Sequence, residues 1–89
     1  MLVGVTKEIK NHEYRVGLTP QAVAELIASG HRVLVEHNAG AAVGFDDAQY
    51  TAVGGEIVAN AADIFATAEM IVKVKEPQPY ECHQLRPGQ

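Results

Sequence analysis

Four short β-rich runs, each parted from the next by a helix signal, limit this chain more than any other feature. Leu2 to Val5 opens the series almost at the first residue, with Ile9 a candidate extension. Arg32 to Glu36 carries Val33, Leu34 and Val35; Glu56 to Val58 is a brief third run; Met70 opens a fourth with Ile71, Val72 and Val74. Between the first two runs, Thr19 suits a cap and Pro20 a first helical position. Val23, Leu26 and Ile27 then recur at helical spacing, and Gly30 stops the helix. Asp46 and Gln49 form a capping box for a short helix that ends at Gly54-Gly55. Asn60 caps a third helix, with Asp63 at its third position and Ile64 and Phe65 turned inward. Gln78 to Leu85 reads as the start of a fourth, with Pro79 near its first position. The order β-α-β-α-β-α-β implies a parallel sheet, and right-handed crossovers give the strand order 3-2-1-4. The expected fold is α/β in three layers, with helices on both faces of the sheet: a Rossmann-like or flavodoxin-like half domain.

The chain's 89 residues suffice for one domain and one modest core. A net charge of -4 gives no basic stripe for nucleic acid, and three Tyr, two Phe and no Trp leave little for base stacking. A single cysteine, Cys82, forms no internal disulfide, which fits a reducing compartment. The N-terminus, Met-Leu-Val-Gly-Val-Thr-Lys-Glu, reaches charge within eight residues, so it reads as neither signal peptide nor membrane span. The expected setting is the cytoplasm, with no membrane partner. No internal repeat, low-complexity tract or linker is visible.

Order 3-2-1-4 makes strands one and four neighbours at the switch point, where ligands bind beyond the carboxyl ends of the strands. Two features flank that crevice. One is an over-long polar connection after strand one, residues 10–18. The other is the run 69–77, Glu-Met-Ile-Val-Lys-Val-Lys-Glu-Pro. Lys73 and Lys75 stand at spacing two, so on a strand they share a face and would wall an anion-binding cleft. The alternative is that both mark the strand's exit from the core and reach to water. Arg15, in the long connection, could clamp a carboxylate with two parallel hydrogen bonds, and Lys75 could donate to the same anion or polarise a carbonyl oxygen. Against that, Arg15 could be an exposed loop charge or a partner for Glu13 or Glu8. Glu8, Glu13 and Glu76 lie near the same end and read as ion partners of the cations ahead of acid or base roles.

The four histidines do not make a metal site. His31 and His37 bracket the second strand, about 20 Å apart along it. His12 lies in the long connection and is a weak site candidate, and His83 falls on the last helix. No Cys/His group has zinc spacing, and Cys82 has no base beside it except His83, a sequence neighbour pointing elsewhere. Gly40-Ala-Ala-Val-Gly44 lacks the G-x-G-x-x-G spacing of a dinucleotide loop and reads as a turn.

Lys7-Glu8-Ile9-Lys10-Asn11, then Glu13-Tyr14-Arg15-Val16-Gly17-Leu18-Thr19-Pro20, closely resembles the opening of the bacterial L-alanine dehydrogenases. The resemblance continues through Gly30-His31, Ala39-Gly40, Phe45, Lys73-Val74-Lys75-Glu76-Pro77 and Leu85-Arg86-Pro87-Gly88-Gln89, in register over the whole chain. The N-terminal domain of the nicotinamide nucleotide transhydrogenase α subunit is similar in its first segment. It typically lacks the second lysine of Lys-Val-Lys-Glu-Pro, so Lys75 favours the dehydrogenase. His12 departs from the family, which more often has Asn there. The resemblance implies reversible NAD-linked oxidative deamination of L-alanine to pyruvate and ammonia, with Arg15 and Lys75 holding the substrate carboxylate and keto oxygen. It implies that residues 1–89 are the N-terminal part of the substrate domain. The catalytic residues and the NAD-binding loop would lie outside this sequence, and the chain alone would be inactive. The family is usually hexameric, so a homo-oligomer is implied for the full-length enzyme. Two other readings remain: a stand-alone module for small carboxylates, and a regulatory or assembly domain of the transhydrogenase kind.

Overall fold

A computed structural model of the chain describes residues 1–10, 13–75 and 77–89. Four parallel strands, β1 (Leu2–Val5), β2 (Arg32–Glu36), β3 (Glu56–Val58) and β4 (Met70–Val72), form one sheet in the order β3-β2-β1-β4. The register pairs Gly4 with both Leu34 and Ile71, and Val5 with both Val35 and Val72. The sheet is therefore the one the alternation of runs requires. Ile9 does not extend β1. The strand stops at Val5, and Ile9 is half exposed in the connection that follows.

Alternation along the strands divides the core in two. Val3, Val5, Val33 and Val35 face α1 (Pro20–Ala28) and α2 (Asp47–Ala52), meeting the buried Val23 and Tyr50. Leu34 and Ile71 face the other way, onto Ile64 and Ala68 of α3 (Ala61–Thr67) and its C-cap. Gly4 makes that second contact close: a β-carbon there would stand 2.4 Å from Ile64 Cγ2. Helices thus cover both faces.

The caps form as their residues dictate. Thr19 Oγ1 accepts the Ala22 N–H, Asp46 and Gln49 close a reciprocal capping box, and Asn60 accepts the Asp63 N–H. Gly30, at φ +92°, ends α1 with the His31 N–H reaching back to Leu26 C=O. The Gly40–Gly44 segment is a tight 3₁₀ turn over Ala41–Val43. A short α4 (Pro79–Cys82) follows β4. Among the described residues, no helix is long and apolar enough to cross a membrane.

Candidate functional site

Because β1 ends at Val5 and α1 begins at Pro20, the connection between them runs over residues 6–19. It lies at the carboxyl end of the sheet, beside the exit of β4. Three contacts pin it there. Tyr50, fully buried on α2, donates its hydroxyl to Leu18 C=O at 2.8 Å. Gly17 packs against the last peptide of β4, where a β-carbon would come within 2.6 Å of Val72 O. Glu8 accepts the main-chain N–H groups of Val74 and Lys75 at 3.1 and 3.2 Å.

β4 ends at Val72, so both lysines lie beyond the strand, and they part company. The Lys73 side chain is only 7% exposed and does not reach to water. Its ammonium is taken by Glu81 of α4 at 3.0 Å and Glu8 at 3.5 Å, with Thr6 Oγ1 at 3.4 Å. A buried ammonium needs such partners, and the two carboxylates supply them. Lys73 is thus a structural tie between the β1 connection, β4 and α4. Lys75 remains 40% exposed.

Arg15 and Lys75 meet at a third residue. Glu13 accepts the Arg15 guanidinium as a fork, Nη2 to Oε1 at 2.9 Å and Nε to Oε2 at 3.0 Å, and accepts the Arg15 N–H on Oε2 at 2.9 Å. The Lys75 ammonium stands 3.8 Å from the same Oε1. The Glu13 side chain is 4% exposed, against 64% for that of Arg15. Hydrogen bonds from the Arg15 side chain, and then its main-chain N–H, pull the Glu13 carboxyl down from 4.5 to about 2. The same carboxylate holds the guanidinium above its ordinary range. Reading Arg15 as a partner of Glu13 therefore describes the structure, and that partnership also draws Arg15 and Lys75 to one point.

Two hollows flank the group. Lys75 and Lys73 line a cleft of about 270 Å³ with Ile71, Pro77, Leu85 and Gln89. Arg15 lines a mostly apolar depression of about 260 Å³ with Val16, Thr19, Val43, Phe45 and Val74. Glu13 pairs with Lys75 of the first hollow and with Arg15 of the second. Its role could be read from the sequence only as one of several nearby acids. The i, i+2 fork to Arg15 depends on loop backbone that no periodicity reports.

His12 and Glu76 lie outside the described residues. His31 contacts the N-terminal amine, and His37 pairs with Asp47 of α2, so neither reaches the site. Among the described residues, no group of three or more His, Cys, Asp or Glu side chains is placed to hold a metal ion. Cys82 is exposed, with its thiol near Pro77 C=O. β1 gives way to residues 6–19 instead of a tight glycine turn into a helix.

Comparison with known proteins covers the whole chain. It is 49% identical over 89 residues to the alanine dehydrogenase of Halomonas elongata, and 51% over 88 residues to that of Bacillus subtilis. The chain spans only 24% and 23% of those two proteins. A solved L-alanine dehydrogenase superposes with a TM-score of 0.93 at 46% identity, over 97% of this chain and 24% of the other. The transhydrogenase from Sinorhizobium meliloti superposes with a TM-score of 0.91 at 32% identity, over 99% of this chain and 26% of the other. The family described as alanine dehydrogenase/PNT, N-terminal domain, matches residues 4–89. The chain belongs to that family.

Proposed function

We propose that residues 1–89 form the N-terminal part of the substrate domain of an L-alanine dehydrogenase. In this reading Arg15 and Lys75 bind the carboxylate and keto oxygen of pyruvate, or the carboxylate of L-alanine. The observation that carries it is the approach of both cations to one oxygen, Glu13 Oε1. Two cations held around one carboxylate oxygen can hold a second small acid, because a guanidinium and an ammonium offer several donors each. Glu8 anchors the main chain of Lys75 and Glu13 grips the Arg15 guanidinium, which lowers the ordering that binding must supply.

The reaction belongs to the same proposal: NAD-linked, reversible oxidative deamination of L-alanine to pyruvate and ammonia, in a cytoplasmic homo-oligomer when full length. When bound, NAD supplies the hydride acceptor. No NAD contact is assigned to these residues, and they are expected to bind substrate without turning it over. The chain's share of its relatives' length supports that division. A second reading, a regulatory or assembly domain as in a transhydrogenase, has the likeness to the Sinorhizobium meliloti protein behind it. The lower identity, 32% against 46%, puts it second.

Calorimetric titration of the 89-residue chain with pyruvate tests the assignment. Binding is expected, with loss in Arg15→Ala, and no NADH is expected from alanine and NAD. Equal binding by parent and variant would remove Arg15 from the site.

A further inference from the structure

We propose that Glu13 is a positioning residue for the carboxylate site: it grips Arg15 by one edge so that the other edge is presented to a small monocarboxylate. The inference rests on the carboxylate-binding reading above. A guanidinium has two edges able to make paired hydrogen bonds, Nε with Nη2 and Nη1 with Nη2. Glu13 occupies the first, with both of its oxygens. Among the described residues none accepts from Nη1, and the Arg15 side chain is largely exposed. Among the described residues the second edge is therefore open, while the Glu13 fork holds the plane of the group. The fixing carboxylate is itself covered, and the Arg15 N–H adds a third bond to it. An arginine on a loop without such a hold would have to order its long side chain at each binding event.

Charge sharpens the assignment. Arg15, Lys75 and an ionised Glu13 together carry one positive charge, which one monoanion neutralises. The carboxyl titrates at about 2, so it stays ionised at any pH where pyruvate is an anion of interest. The two roles open to Glu13 predict opposite signs. If Glu13 merely occupies the cations in place of a ligand, removing its charge frees them and tightens anion binding. If it positions Arg15, removing it weakens binding even though the local charge becomes more positive.

The test is an NMR titration of the 89-residue chain and its Glu13→Gln variant with pyruvate, following the Arg15 Nε–H resonance as well as the amides. In the parent, that Nε–H should be visible and slow to exchange, and pyruvate should bind. In E13Q the Nε–H should broaden or exchange fast, and pyruvate should bind about tenfold more weakly. Should the amide variant unfold, Glu13→Asp keeps the charge while shortening the reach, and the same direction is expected. Unchanged or tighter binding in a folded variant overturns the role of Glu13 and leaves the carboxylate reading standing. A parent chain that binds no pyruvate overturns both.

Discussion

Glu8 Oε1 accepts the main-chain N–H of Lys75 at 3.2 Å, which fastens the start of the β1 connection to the residue carrying the second cation of the site. The other oxygen takes the Val74 N–H, and Lys73 Nζ lies 3.5 Å away. One carboxylate with a 2% exposed side chain therefore stitches two chain segments together and helps neutralise a buried ammonium. The geometry of Arg15 against Lys75 depends on this stitch, because each cation sits on one of the two segments.

Glu8→Ala is expected to cost about 2–4 kcal/mol, since it leaves two part-buried N–H groups without their acceptor and removes one partner of a buried ion pair. Glu8→Gln, which keeps an acceptor, should cost less. Urea unfolding followed by circular dichroism measures both. A loss under about 0.5 kcal/mol in Glu8→Ala, the size of an ordinary surface change, would mean that the stitch is not holding the segments.

Gly17→Ala tests how the Arg15 connection is held against β4. The new methyl would meet the Val72 carbonyl at 2.6 Å, and backbone cannot swing aside as a side chain can. The connection must lift, at about 1–3 kcal/mol. Pyruvate binding should weaken along with stability. A variant with native affinity and native unfolding midpoint would show that the close approach does not set the site.

Acid should expose the Glu13 bond. The folded carboxyl titrates at about 2 and the free one at 4.5, so on acidification the unfolded chain takes up the proton first. The stabilising contribution is complete above pH 4.5, shrinks below it and is gone below about 2. Unfolding midpoints followed down this window should fall more steeply for the parent than for Glu13→Gln. Parallel curves would place the acid sensitivity in other carboxylates.

Much of the frame was legible because local signals agreed with one another. Thr19, Asp46 and Asn60 cap helices where short polar side chains precede apolar periodicity, and four apolar runs between them leave one simple strand order. The site was harder to read for a physical reason. The spacing of Lys73 and Lys75 suggested one shared face, which holds only while a strand continues, and β4 stops at Val72. Beyond it Lys73 turns to Glu8 and Glu81, acids far from it in sequence or on the next helix. The Glu13 fork is a loop conformation and has no sequence period. Ile9 resembles a strand extension because an isolated apolar residue after a β-rich run carries no signal of where the ladder stops, and β1 stops at Val5.

The central claim is that Arg15 and Lys75 act on one small acid together. Residue-resolved NMR titration of the 89-residue chain with pyruvate tests it most directly. The account predicts that the signals of Arg15 and Lys75 shift along one saturation curve with a single Kd. Shifts confined to other residues, or separate curves for these two, would contradict it.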